Sequence, residues 1–314
     1  MLQRIFVGIV LPVAALVLFL FAAAAQQPAG GGEKGAPKGA VSGRLTWFDR
    51  QGKVVGTAGE SGLYRTLTIS PDGKRVAFER ADPQTQNRDI WLLDFASDKT
   101  TRFTSDPAWD AFPTWSPDGS RIIFTSNRGG TYDLYQKAAN GAGNEEPFYQ
   151  SSEGKGPTTW SPDGRFLIYY SLGQPTHMRL LAATGPPDRK PVPVVDTQFT
   201  SITARFSPDG RFIVYTSNES GQNEISVRPF DAATGSFGSP TVVTSGGGST
   251  PLWRGDGKEI FYITPDRMAT ALEVKAGATF QAGVPKPLFK VPAGVLFWDV
   301  SPDGQRFLMP APGA

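Results

Sequence analysis

Short apolar runs flanked by tight polar turns recur along this chain at nearly constant intervals. Six runs stand out: Val76-Ala77-Phe78, Ile122-Ile123-Phe124, Leu167-Ile168-Tyr169, Ile213-Val214-Tyr215, Ile260-Phe261-Tyr262 and Phe307-Leu308-Met309. Because each run is apolar at every position, not at alternate ones, it predicts a strand covered on both faces. Ahead of each run lies a copy of one tetrapeptide: Ser70-Pro71-Asp72-Gly73, Ser116-Pro117-Asp118-Gly119, Ser161-Pro162-Asp163-Gly164, Ser207-Pro208-Asp209-Gly210, the variant Arg254-Gly255-Asp256-Gly257, and Ser301-Pro302-Asp303-Gly304. Pro sets φ at the first corner, Asp binds backbone N–H groups from within the turn, and Gly takes the φ > 0 position. These residues are read as structural turns.

The steps between copies are 46, 45, 46, 47 and 47 residues. A third strand follows each run, as in Asp89-Ile90-Trp91-Leu92-Leu93 and Glu224-Ile225-Ser226-Val227. A more polar fourth follows that, as in Thr101-Arg102-Phe103-Thr104. Nothing resembles an amphipathic helix. A period of this length built from four strands is the signature of a propeller blade, which buries its faces only against neighbouring blades. The fold class is therefore all-β: a six-bladed β-propeller of four-stranded antiparallel blades. The sixth blade lacks its outer half at the C-terminus, and Arg44 to Arg50 with Lys53 to Gly56 match the missing third and fourth strands. The ring is expected to be closed by these N-terminal strands, which removes exposed sheet edges.

Composition alters the picture little. Formal net charge is +2, with acidic and basic residues interspersed, so nucleic-acid binding has no support. Residues 1–25 carry an uncharged apolar stretch from Ile5 to Ala25. Small residues at Ala23 and Ala25 suit a secretory cleavage site, and the stretch is also long enough for a retained membrane anchor. Residues 26–42 read as a flexible Gly/Pro/Ala linker, 43–309 as the propeller and 310–314 as a tail. The absence of cysteine excludes disulfides, cysteine-ligated zinc and lipid attachment at an N-terminal cysteine.

The Ser-Pro-Asp-Gly turn in every repeat resembles that of the TolB-like propellers. Arg44-Leu45-Thr46-Trp47-Phe48-Asp49-Arg50 and Asn87-Arg88-Asp89-Ile90-Trp91-Leu92-Leu93 look especially like propeller segments attached to bacterial membrane Ser/Thr kinases. The resemblance implies a periplasmic binding partner, a role that the spacing itself does not establish. The chain has no kinase segments and no Gly-x-Ser-x-Gly nucleophile elbow.

His177 is the only histidine, too few for a triad or for the histidine-rich metal sites of the lyases known among such propellers. The repeated turn aspartates are expected to be spread around one rim, without a common centre for metal or acid–base work. No cofactor or metal motif is present. The less regular positions on the opposite rim, Tyr64, Arg65, Arg88, Trp109, Asp110, Phe112, Arg128, Phe199, Asn218 and Trp298, form the candidate binding surface, since exposed aromatics and arginines are the usual anchors of recognition. The expected function is a non-catalytic exported module, a monomer that binds a protein or peptide in the cell envelope and meets the membrane only through its N-terminal segment. Two alternatives stand: a glycan-active hydrolase using Asp106, Asp110, Glu153 and Asp196, or a sensor remnant of a membrane kinase system.

Overall fold

The computed structural model describes residues 40–173, 175–276 and 280–312. The leader expected over residues 1–25 and nearly all of the linker lie outside the described residues. Every regular element among those described is a strand. β1 (Val41–Asp49), β2 (Val54–Ile69), β3 (Arg75–Ala81), β4 (Arg88–Asp94) and β5 (Lys99–Arg102) are successive antiparallel neighbours. β6 (Asp110–Trp115), β7 (Arg121–Ser126), β8 (Asp133–Ala138) and β9 (Glu146–Tyr149) make a second sheet. A third contains β10 (Lys155–Trp160), β11 (Phe166–Ser171), β12 (His177–Ala182) and β13 (Val192–Pro193). The fourth is built from β14 (Ser201–Phe206), β15 (Phe212–Ser217), β16 (Glu224–Asp231), β17 (Ser236–Phe237) and β18 (Thr241–Val242). The fifth is built from β19 (Ser249–Trp253), β20 (Glu259–Ile263), β21 (Met268–Ala276), β22 (Phe280–Ala282) and β23 (Lys286–Lys290). The last two strands, β24 (Asp299–Val300) and β25 (Arg306–Ala311), join the first sheet through β1 and bring it to seven strands.

The pairing of β25 with β1 runs without interruption from Arg44↔Ala311 to Asp49↔Arg306. Gly43 permits it, since a Cβ there would run into the carbonyl of Ala311. Two boundaries differ from the sequence reading: β1 starts at Val41, inside the expected linker, and β25 continues through Pro310 and Ala311, inside the expected tail. A larger difference is β2, which continues for 16 residues where the sequence suggests a stop at Gly56. It pairs with β1 from Val54 to Tyr64, with a bulge between Ala58 and Gly62, and with β3 from Leu63 to Ile69, so Leu63 and Tyr64 have partners on both sides. Tyr64 and Arg65 are therefore strand residues, not loop residues.

Period-two alternation explains the core. In β7, Ile122 and Phe124 pack with Ala77 and Ile90 of the first sheet, and Ile123 between them packs with Trp160 and Leu167 of the third. In the same way Ile168 faces Ile213 and Tyr215, and Val214 faces Ile260 and Tyr262. Phe261 meets Phe307 and Met309 of β25, and Leu308 turns the other way onto Val76 and Phe78. Each such side chain is nearly or fully buried, and each Val, Ile, Leu, Phe or Met among them contributes about 1.5–3 kcal/mol relative to exposure.

The turns are closed by their own side chains. In each Ser-Pro-Asp-Gly copy the serine hydroxyl donates to the aspartate, at 2.5 Å for Ser116 and Asp118, and the glycine N–H donates to the serine carbonyl, at 2.9 Å for Gly119. These bonds hold the carboxylates below their usual range. The Asp118 pKa falls to about 2, chiefly through the Ser116 hydroxyl. The turns crowd one another more than a dispersed ring implies: a Cβ on Gly73 would meet Pro302, on Gly119 Pro71, on Gly210 Pro162 and on Gly257 Pro208. The variant turn has a steric cause. The N–H of Gly255 donates to the Pro302 carbonyl at 2.9 Å, a bond that proline lacks, and a Cβ there would lie 2.6 Å from the same oxygen. Arg254 replaces the serine, with Nε on Asp256 at 2.7 Å and Nη1 on Glu259 at 2.8 Å.

Candidate functional site: an axial cavity and its mouth

β2, β6, β10, β14 and β19, each paired with the apolar strand that follows its turn, carry a register break at the same place: between Tyr64 and Leu67, Ala111 and Thr114, Pro157 and Thr159, Ile202 and Arg205, and Ser249 and Leu252. A bulge adds a residue and redirects the side chains beside it. Phe112, Thr203 and Thr250 take φ of 55°, 56° and 49°, a left-handed conformation that costs such residues energy and marks a constrained site. The redirected side chains face a shared space of ≈ 70 Å³, which is lined from every sheet and by Phe297 and Trp298 ahead of β24. The lining positions Thr66, Phe112, Thr158, Thr203, Thr250 and Phe297 recur at blade spacing. That second period, offset from the turns, is the signal by which the sequence could have revealed the cavity.

At the end away from the turns an apolar cluster spans several sheets. Buried Ala111, Phe112, Tyr170 and Ile202 carry half-buried Tyr132, Leu172 and Phe297. Phe112 meets Tyr170 edge-on with centroids 5.9 Å apart and Phe297 at 6.2 Å. The position follows from topology, since Leu172 follows β11 and Tyr132 precedes β8. Nearby, Glu79 accepts an ion pair from Arg65 at 3.0 Å and from Arg88 at 3.6 Å, together with a hydrogen bond from Thr66 at 3.3 Å. The Arg88 guanidinium lies 4.2 Å from the Trp109 ring centroid. Burial lowers the Arg65 pKa and raises those of Tyr132 and Tyr170.

Of the ten candidate rim residues, Arg88, Trp109 and Phe112 gather near this mouth, with Arg65 beneath them. The expected exposure does not hold for six: Tyr64, Arg65, Arg88, Asp110, Phe112 and Trp298 are buried. Tyr64 donates its hydroxyl to the Glu60 carbonyl and packs on Phe78. Trp298 donates to the Thr250 carbonyl at 3.0 Å. Asn218 accepts the Thr200 N–H at 2.9 Å, as Asn127 accepts that of Trp109 at 2.8 Å, so it fastens a loop. Phe199 is half-buried in the segment between β13 and β14.

Arg128 is the hub of a separate network, with Asp110 at 3.0 Å, Glu145 at 2.6 Å and Asp106 at 3.8 Å. Asp110 is fully buried, and desolvation pushes its pKa up to about 6 against the pull of Ser126 and Arg128. Glu153 and Asp196 are absent from the ion pairs of this network, so the four carboxylates considered for hydrolysis do not converge in it. Among the described residues no group of three or more His, Asp or Glu is placed to hold a metal ion. Sequence reasoning missed Lys155, fully buried on Asp133 and the Glu153 carbonyl. It also missed Glu224, which takes the Thr244 hydroxyl and the Gly247 N–H. The acidic residue heading the third strand, as at Asp89, Asp133 and Glu224, was the available signal.

Residues 51–186 match the family model of the TolB beta propeller domain, PD40. The uncharacterized peptidase YuxL of Bacillus subtilis (strain 168) is 31% identical over 113 residues, 33% of this chain and 17% of that protein. Tricorn protease homolog 1 of Streptomyces coelicolor is 28% identical over 121 residues, 38% of this chain and 11% of that protein. The chain thus spans under a fifth of the length of either relative. A solved structure of a protein assigned as TolB from Agrobacterium tumefaciens superposes with a TM-score of 0.65 at 18% identity, covering 85% of this chain and 97% of that one. The likeness to that structure is one of fold.

Proposed function

We propose that this TolB-like propeller is a non-catalytic recognition module, a six-bladed closed ring that binds a protein or peptide partner at the mouth of its channel opposite the turns. The six-blade count is supported by six turns, by apolar packing in unbroken succession from the first sheet to β25, and by the β25–β1 pairing. One observation carries the binding reading. Half-buried Tyr132, Leu172 and Phe297 form an apolar floor from different sheets at a channel mouth, with the Arg88–Trp109 stack beside it. Half-buried aromatics with an arginine on a rigid scaffold are suited to anchoring a partner.

The module acts outside the cytoplasm in this reading, exported by the apolar stretch Ile5 to Ala25, and is monomeric. Among the described residues no helix is long and apolar enough to cross a membrane. The test is affinity capture from envelope fractions with the wild-type protein and with a Trp109→Ala, Tyr132→Ala, Phe297→Ala triple variant. A partner captured by the wild type and lost by a variant that keeps its melting temperature within a few degrees is the expected result. Equal capture by both proteins refutes the mouth as the binding surface. Turnover of peptides or glycans abolished by Asp110→Asn refutes the non-catalytic reading.

A further inference from the structure

Arg205 is the only charged side chain among the described residues that line the axial cavity. It stands two residues before Ser207, deeper in the channel than the aromatic mouth. Its Nη1 donates to the carbonyls of Thr158, at 2.9 Å, and Ala204, at 3.0 Å. Those two bonds fix the plane of the guanidinium and leave Nε and Nη2 with no hydrogen-bond partner among the described residues. No carboxylate among them lies within ion-pair distance of it. Asp299, the acidic group it feels most, already accepts the Ile69 N–H at 2.7 Å and the Val300 N–H at 2.8 Å, and burial raises the pKa of that carboxyl.

Arg205 is half-buried, so its guanidinium is partly stripped of water while two of its donors stay open to the cavity, a cost that an anionic partner there would offset. It remains charged even where burial lowers its pKa. The walls around it are chiefly Leu67, Pro113, Pro157, Ile202, Pro251 and Leu252, which provide no second charge. Thr250 adds a buried hydroxyl that has no partner among the described residues.

We infer that the channel binds a small monocarboxylate with an apolar body, its two oxygens on Nε and Nη2 of Arg205 and its hydrocarbon part against the proline and leucine walls. The Nε–Nη2 edge presents two parallel N–H groups, the geometry that a carboxylate matches. A dianion would carry a charge that the cavity leaves unbalanced, and a cation would be repelled. This inference does not rest on the mouth reading, because ligand uptake and partner capture are separate measurements.

The experiment is calorimetric titration of the full chain with hexanoate, with hexan-1-ol, hexylammonium, chloride and inorganic phosphate as matched probes. Saturable one-to-one binding of hexanoate alone is expected, weakened at least about tenfold by Arg205→Met. Should that variant not fold, Arg205→Lys, which keeps the charge but loses the flat two-donor edge, is expected to show the same loss. The inference is overturned if hexanoate gives no saturable binding up to about 10 mM. It is equally overturned if hexan-1-ol, hexylammonium, chloride or phosphate binds as well, or if the arginine variant binds hexanoate unchanged.

Discussion

Adding one methyl group to a turn glycine separates backbone strain from steric overlap, because the six turns share a conformation and differ in surroundings. Gly164 has φ +72° and nothing within 4 Å of the place a methyl group would take, whereas Gly304 has φ +70° and would place its Cβ 2.6 Å from Arg254 Cδ and 2.8 Å from Cγ. Gly164→Ala therefore bears only the left-handed conformation, about 1–2 kcal/mol, offset by about 0.4–1 kcal/mol from the lower entropy of the unfolded chain. A net loss of about 1 kcal/mol is expected. Gly304→Ala adds displacement of the Arg254 side chain, an overpacking cost of about 1–3 kcal/mol, together with its bonds to Asp256 and Glu259. Its loss should reach about 2–3 kcal/mol. Arg254→Ser restores the serine of the common turn and removes the two nearest atoms, leaving Phe261 Cζ at 3.3 Å, so in that background the cost of Gly304→Ala should fall most of the way to that of Gly164→Ala, a coupling of about 1–2 kcal/mol. Urea unfolding followed by tryptophan fluorescence measures the wild type and the four variants, with the m-value as the check that only stability has changed. Equal losses at Gly164 and Gly304, or a Gly304 loss that survives Arg254→Ser, would refute the reasoning.

Thr46→Cys with Met309→Cys places a cysteine pair directly across β1 and β25 in a chain otherwise free of cysteine. Oxidation should form an intramolecular disulfide and raise stability by up to about 5 kcal/mol for so long a loop. A folded protein whose two thiols stay free under oxidant would contradict the pairing. Asp110, with its folded pKa about 6 above an unfolded value of about 3.9, makes the native state bind more protons between those values, so its contribution to stability falls as pH rises through that window and the penalty is complete above it. The stability of the wild type minus that of Asp110→Asn should drop by about 2–3 kcal/mol from about pH 4 to about pH 7. A flat difference in chemical denaturation across that range would place the titration elsewhere.

Local chemistry made the turns and the second strands legible. Ser116, Asp118 and Gly119 satisfy one another within four residues, and Ile122 to Phe124 is apolar on both faces whatever packs against it. The cavity was harder to see because its residues are redirected by bulges. Thr203 and Thr250 look like ordinary strand threonines until the register breaks beside them. Burial at the mouth was misjudged where polar groups find partners in other strands: Arg65 reads as a surface arginine because Glu79, which neutralises it, lies on the next strand. Arg205 reads as a turn-flanking residue because the carbonyl that holds it, Thr158, belongs to another sheet. The end of β2 was missed because the strand legible in the sequence stops at Gly56, whereas the chain bulges between Ala58 and Gly62 and then pairs with β1 again as far as Tyr64.

The hydrogen bonds between β1 and β25 also impose an order in time. A ribosome adding about 5–20 residues per second needs roughly 13–50 seconds to travel from one of these strands to the other. Through that interval the earlier sheets can mature against one another, but β1 waits with an unoccupied edge, a template for pairing with any other extended chain. The strand that completes the sheet is the last of the described strands to be made, so a chain interrupted shortly before Arg306 would carry the other described sheets and still display that open edge. Maturation of this sheet therefore turns on β25, and a chaperone that shields β1 during synthesis would protect it more than one that recognises any inner sheet.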